Sequence, residues 1–316
     1  MNLSVIIPAL NNKSLLQKNL PLVMEALNQI EKSKKQVIVS DDNSEDNSLE
    51  YLESLKDLFA KNNIDLTAVK NRSERGFSSN VNNAVSYATG DILILLNTDV
   101  SPSKDFINPL LKHFSDDKVF AVGCLEETTN ESGAEKVYGR SKGYFKKGFI
   151  MHDAQEAFSG NRTFWVSCGS GAFKKKTWEL LGGLDTLYNP FYWEDIDLSY
   201  RAVKSGYKII FEPKSIIKHQ HEKGAIKTSF KKGLVNKIAY RNQFHFFWKN
   251  VTDKNLILKH LLWLPYHIIN SLLKRDFNFL AGLSLAILRY PQTWHARREI
   301  IRQFKLSDSQ IMQQFL

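Results

Sequence analysis

Asp91-Ile92-Leu93-Ile94-Leu95-Leu96-Asn97-Thr98-Asp99 is the stretch that decides the fold. A strand buried on both faces of a parallel sheet is continuously apolar, as Ile92 to Leu96 are. It ends on polar Asn97-Thr98-Asp99, and in open α/β sheets ligands lie beyond the carboxyl ends of the strands. Two other short apolar runs, 3–7 and 36–40, end in the same manner: the first on Pro8-Ala9-Leu10-Asn11, the second on Asp41-Asp42-Asn43-Ser44. A further strand is expected at 64–69. Apolar residues at helical spacing predict helices over 14–30, 46–61 and 77–88. Strands alternating with helices at this spacing make an α/β fold with a mostly parallel sheet flanked by crossover helices.

Asp, Asn and Ser also favour turns and caps, so either polar cluster alone reads equally well as a turn. Together, at strand ends of one sheet, they favour a site. A nucleotide needs acceptors for its base and ribose donors, and a cation to neutralise its diphosphate. Carboxylates at strand ends serve both needs.

A second acidic group, Trp193-Glu194-Asp195-Ile196-Asp197, follows Phe191-Tyr192. A carboxylate in a partly apolar pocket has its charged form disfavoured, which raises its pKa and suits it to act as a base. The plain alternative is an acidic start to a helix over 197–205. Small residues at Gly169-Ser170-Gly171 let the chain pass close to a ligand, or simply make a tight turn. Arg241-Asn242 opens a basic, aromatic segment that either lines the acceptor side or is core.

The 316 residues are 43% hydrophobic, ample for a sizeable core. Cys124 and Cys168 lack metal-ligand spacing, which points to a reducing, cytoplasmic setting. Residues 1–10 have no basic start and read as a strand, not a secretion signal. Charge is unevenly placed: residues 201–316 hold 21 Lys and Arg against 6 Asp and Glu. Such a surface suits an anionic partner: nucleic acid, phospholipid or a pyrophosphate-linked substrate. Apolar segments at 256–273 and 277–288 are broken by Lys259, His260, Pro265, His267 and Lys274-Arg275. Neither reaches the uninterrupted length of a spanning helix. They fit amphipathic helices on the inner face of an anionic membrane, with a hairpin packed on the catalytic domain or a dimer interface as the alternatives. Residues 1–245 are therefore expected to form the catalytic domain and 246–316 a helical extension.

Ser4-Val5-Ile6-Ile7-Pro8, Ser40-Asp41-Asp42, Arg75-Gly76-Phe77 leading to Asn82, Leu96-Asn97-Thr98-Asp99, Gly169-Ser170-Gly171, Gly182-Gly183-Leu184-Asp185 and Trp193-Glu194-Asp195 resemble, in order, the motifs of family-2 inverting glycosyltransferases. A rhamnosyltransferase-like subgroup shares the Asn-x-Asp form. The resemblance implies the GT-A fold, a nucleotide-diphosphate-sugar donor and a divalent cation, Mn²⁺ or Mg²⁺. It implies that Pro8, Leu10, Asn11, Asp41, Asp42, Arg75, Asn82, Asn97, Thr98 and Asp99 hold the donor, with Asp42 on the base. It implies Asp195 as catalytic base with Glu194 beside it, and metal contacts from Asp99 and from His219 or His221. Gly169, Ser170, Gly171, Trp193, Asp197 and Arg241 fall on the acceptor or sugar side, the acceptor being a saccharide or lipid-linked saccharide. Asn97 and Leu10 depart from the family pattern, the first replacing an aspartate and the second an aromatic.

A processive synthase would need channel-forming helices and a Gln-x-x-Arg-Trp motif, and Gln243-Phe244-His245-Phe246-Phe247-Trp248 does not fit. A nucleic-acid-binding protein would interleave exposed aromatics with Lys and Arg across a recognised module, which is lacking here. A non-catalytic sugar-binding relative would lack the base.

Overall fold

The computed structural model describes residues 1–129, 135–155, 160–219 and 230–315. Four parallel strands open the chain: β1 (Leu3–Ala9), β2 (Lys35–Asp41), β3 (Ile64–Lys70) and β4 (Ile92–Leu96), in spatial order β3-β2-β1-β4. The helices α1 (Lys13–Asn28), α2 (Ser48–Lys61) and α3 (Phe77–Ser86) cross between them. The apolar run of β4 is explained by its two covered faces. Leu93 and Leu95 pack with Val81, Ala84 and Trp178 on one side, and Ile92, Ile94 and Leu96 with Val23, Leu27 and Leu110 on the other. Alternate side chains point to opposite faces, so both sets must be apolar.

Beyond β4 the sheet becomes mixed. After β5 (Val100–Pro102) and α4 (Ile107–Leu111) come β6 (Val119–Thr129), β7 (Glu135–Tyr138) and a separate hairpin of β8 (Arg140–Lys146) and β9 (Phe149–Gln155). Strand β10 (Ser170–Lys174), which the sequence reads as a turn, inserts antiparallel between β4 and β6. Its glycine lets it lie close: a Cβ on Gly171 would stand 2.6 Å from Val166 and 2.8 Å from the Ser167 carbonyl oxygen. After α5 (Lys175–Leu180) come α6 (Glu194–Lys204) and β11 (Lys208–His219), which pairs parallel to β6.

Helices at Lys232–Asn250, Lys254–Lys274, Phe277–Leu288, Tyr290–Ile300 and Asp308–Gln313 complete the chain. The first is continuous through residues 245 and 246. The Lys254–Lys274 helix differs from the sequence expectation. It has 21 residues and a mean hydropathy of 1.2 in its most apolar window, so by length and composition it is long enough to cross a membrane. Its polar residues are single and spaced, and Pro265 is accommodated inside the helix.

Candidate active site

Strand ends β1, β2 and β4 converge, and their polar residues bind one another. The Asn11 amide N–H donates to Ser44 Oγ (2.8 Å) and Asn11 Oδ1 accepts from Glu45 N (2.8 Å). Asn12 Nδ2 donates to Thr98 Oγ1 (2.9 Å) and Asn19 Nδ2 to the Thr98 carbonyl (2.7 Å), which fixes the backbone leading into Asp99. Pro8 and Leu10 stand half-buried on the same turn. Both Asp41 and Asp42 are buried. Asp42 accepts from Asn71 Nδ2 (2.7 Å) and Gly76 N (3.0 Å), so it ties down the loop that carries exposed Arg75. Asp41 Oδ2 accepts from Ser44 N (3.0 Å), while its Oδ1 is buried without a donor. A buried carboxylate oxygen left without a donor calls for a partner, and of the two aspartates it is Asp41 that offers one.

Asp99 Oδ2 lies 3.3 Å from His219 Nε2, and His219 Nδ1 lies 3.0 Å from Glu126 Oε1. Burial pulls the His219 pKa down, but hydrogen bonds to Asp99 and Glu126 outweigh it and raise it to about 9. A divalent cation that displaces the proton shared between Asp99 Oδ2 and His219 Nε2 finds there an oxygen and a nitrogen donor, with the Glu126 carboxylate orienting the far ring nitrogen. No cluster of three or more His, Cys, Asp or Glu suited to a metal occurs among the described residues. Among the described residues Asp99 and His219 are the two candidate ligands, which suits a cation that completes its shell with phosphate oxygens and water. His221 lies outside the described residues. Asn97 supplies its amide N–H to the Gly169 carbonyl (2.8 Å), and its side chain covers Gly169, where a Cβ would come within 2.5 Å of Asn97 Nδ2.

The second acidic group sits on the same side of the molecule. The 167–170 turn links it to β4: Gly169 is bonded to Asn97, and the Cys168 thiol is pushed up by burial and then by nearby Asp195 and Glu194. Glu194 and Asp195 open α6, three residues before the helix start expected from sequence. Among the described residues Asp195 accepts from backbone N–H alone, its neighbour Ile196 N at 2.8 Å, and burial raises its pKa to about 6. Burial first, then the Asp195 charge, holds Glu194 well above the usual carboxylate range, and its Oε2 is buried with no donor. Tyr192 and Trp193 precede them at φ 72° and 77°. Left-handed backbone is rare for bulky side chains and persists where surroundings over-determine it. Here Asn242 Nδ2 reaches the Tyr188, Phe191 and Tyr192 carbonyls (2.8–2.9 Å). Trp193 packs on Phe246 and on His152, with ring centroids 5.1 and 5.4 Å away. A cavity of about 290 Å³ opens beside the turn, lined by Glu126, Trp165, Ser167 and Ser170 among others.

Three expected ligand residues are engaged in bonds within the protein. Asp197 is wholly buried and accepts from Tyr188 Oη, Arg201 Nε, Lys249 Nζ and Asn250 Nδ2 (2.7–2.9 Å). Arg241 donates to the Tyr188 and Asn189 carbonyls and holds the loop before Glu194 from behind. Asn82 clamps Leu184 through its carbonyl (2.7 Å) and its N–H (3.1 Å). It lines a larger cavity of about 840 Å³ that includes none of Asp41, Asp42, Asp99, Glu194 or Asp195. Sequence reasoning missed Glu126 and His152. Glu126 left one signal, an acidic side chain following the apolar start of β6.

Comparison with known proteins follows this geometry. The chain is 35% identical over 127 residues to the uncharacterized glycosyltransferase YfnE of Bacillus subtilis (strain 168), covering 40% of this chain and 30% of that protein. It is 23% identical over 132 residues to the O-antigen chain rhamnosyltransferase WbaN of Salmonella anatum, 42% of this chain and 41% of that protein. The chain therefore spans less than half the length of these relatives. Mannosyltransferase PcManGT of Pyrobaculum calidifontis, solved in complex with GDP-Man and Mn²⁺, superposes with a TM-score of 0.56 at 18% identity, over 96% of this chain and 85% of that one. The fold is GT-A. Residues 4–177, more than half of the chain, match the profile described as Glycosyl transferase family 2, and the chain belongs to that family.

Proposed function

We propose that this protein is a non-processive inverting glycosyltransferase, moving a sugar from a nucleotide-diphosphate sugar to a hydroxyl of a saccharide or lipid-linked saccharide. Asp195 carries the reading: a carboxylate with one backbone hydrogen bond, half-buried beside Trp193, and a pKa raised to about 6. The acceptor hydroxyl gives its proton to Asp195 as its oxygen bonds to the anomeric carbon. The bond from that carbon to the diphosphate oxygen breaks on the opposite face, and the nucleotide diphosphate leaves with the electron pair. One base suffices, because the leaving group needs positive charge and not a proton.

Asp99 and His219 would hold a divalent cation, Mn²⁺ or Mg²⁺, with Glu126 orienting the imidazole. Such a cation neutralises developing charge on the leaving diphosphate, an effect of several kcal/mol. Asp41 and Asp42 receive the base N–H groups, with Asp41 Oδ1 the acceptor that lacks a donor. The similarity to a rhamnosyltransferase favours a deoxyhexosyl or hexosyl donor. The basic charge of residues 201–316 supports work at an anionic membrane surface on its cytoplasmic side.

The test is Asp195→Asn. General-base help is worth roughly 10²–10⁴-fold, so transfer should fall by that much. The thermal shift produced by UDP, dTDP or GDP with Mn²⁺ should survive in the variant. Turnover like that of the wild type would sink the assignment.

A further inference from the structure

We infer that the outward face of the Lys254–Lys274 helix docks in plane on an anionic lipid bilayer, holding the catalytic loop close to the bilayer surface so that the acceptor hydroxyl comes from a saccharide anchored there. This deepens the proposed transfer and rests on it for the acceptor; the docking itself stands on the surface.

Leu258, Leu261, Leu262, Ile269, Leu272 and Leu273 are each 54–80% exposed. They recur at steps of three and four with a longer gap filled by exposed Pro265 and Tyr266, so they share one helix face. A surface helix ordinarily turns such a stripe inward. Here the inward positions include His260 and Ser271, both buried, and the apolar stripe faces out. Exposed Phe277 at 64%, Leu288 at 74% and Trp294 at 49% extend the apolar surface along the following helices. Scattered apolar residues on a surface are ordinary, but a whole helix face marks an interaction site.

Charge selects the occupant. Exposed Lys254, Lys259, Lys274 and Arg275 flank the stripe. Basic groups close to anionic headgroups are drawn to them. A second copy docked through the same patch would bring these like charges together, since a two-fold interface is self-complementary.

The inner side of the helix is fastened to protein, which favours a helix lying along the bilayer over one crossing it. His260 Nδ1 bonds the Gly148 carbonyl (2.8 Å) and His267 Nε2 the Lys147 carbonyl (2.6 Å). The fit at the hairpin tip is tight: a Cβ on Gly148, at φ 86°, would meet Trp263 Cβ at 2.9 Å. From that tip β9 leads to His152, whose ring meets Trp193 at 5.4 Å. Four residues span at most about 14 Å. The helix and the aromatic beside Glu194 and Asp195 are thus joined by a short strut.

The experiment is sedimentation with vesicles of phosphatidylcholine, with or without one-third phosphatidylglycerol, followed by an alkaline carbonate wash. Wild-type protein should bind the anionic vesicles at least tenfold more and be released by carbonate. Leu262→Asp/Leu273→Asp should lose that binding while keeping its nucleotide-induced thermal shift. A dye on Asp153→Cys, an exposed position on β9, should transfer energy strongly to a headgroup dye on bound vesicles. Equal binding to both vesicle types, retention after carbonate, a stripe that instead drives dimerisation in gel filtration, or absent energy transfer would each overturn the inference. Asp195→Asn should bind vesicles like the wild type, so a failed transfer chemistry and a failed docking give separate results.

Discussion

Asp195 and Asp197 lie two residues apart on one helix, and their surroundings move them in opposite directions. Asp197 is buried, which alone would raise its pKa. Arg201, then Lys249, and hydrogen bonds from Asn250 and Lys249 outweigh that and hold it at about 2. Asp195 has burial and little to offset it, so it rises to about 6. A base must be ionised to accept a proton, and a raised pKa delays ionisation. Transfer should therefore climb as pH passes through about 6 and level off above it, read as kcat/KM from pH 5 to pH 8. A flat profile down to pH 4.5 would remove Asp195 from the proton transfer. Asp195 stands out in the sequence through the ordered series of motifs it belongs to, since an acid beside aromatics alone also reads as an acidic helix start. The resemblance puts Asp197 on the acceptor or sugar side, and nothing in the sequence shows the partners from Arg201, Lys249 and Asn250 that tie it into the protein instead. The resemblance puts Asp42 on the nucleobase, whereas in the structure Asp42 is paired with Asn71 and Gly76 and the carboxylate oxygen without a donor belongs to Asp41.

At the scale of elements, α6 is pinned at its first turns by the Asp197 knot. Arg201 also donates to the Gly183 carbonyl (2.7 Å), and Lys249 bonds Asp185 (2.6 Å), so one carboxylate ties together α6, the 181–188 loop and the Lys232–Asn250 helix. Removing its charge leaves two buried cations short of a partner, which typically costs 3–5 kcal/mol, about that much being expected here for Asp197→Asn in urea unfolding at pH 7. The folded pKa lies below the ordinary 3.8, so this stability is present above pH 4 and drains away as pH falls through about 2. The variant should accordingly lose its deficit relative to wild type in that acid range; an equal deficit at pH 7 and pH 2 would argue against the ion cluster. Periodicity located β1 to β4 and α1 to α3 because each buries a regular pattern. It missed β10, since Ser170-Gly171-Ala172 owes its place to what lies on either side of it, and a glycine there reads locally as a turn.

At the scale of the molecule, the residues near 308 are fastened to the helix that starts with Glu194 and Asp195. Lys204, at the last turn of α6, bonds Asp308, the Asn250 carbonyl (2.7 Å) and Thr252 Oγ1 (2.8 Å). Asp308 in turn accepts from Tyr200 Oη (2.6 Å) and from the N–H groups of Thr252 and Asp253 (2.7 and 2.8 Å), the lead-in to the Lys254–Lys274 helix. Nothing in the sequence around either residue announces this pairing across a hundred positions, because long-range partners leave no local periodicity. Asp308→Ala strips a wholly buried ammonium of its counter-charge, so a loss of roughly 3–5 kcal/mol is expected. Adding Lys204→Met removes the stranded charge and should restore part of that loss. Recovery should stop short of wild type, because the two backbone N–H groups and the tyrosine hydroxyl still lack the acceptor they had, each buried group left unmet costing about 1–3 kcal/mol. Thermal melts of the single and double variants decide it. A double variant no more stable than Asp308→Ala would mean that Asp308 acts through its hydrogen bonds alone, and an unchanged single variant would release the residues near 308 from any part in holding α6.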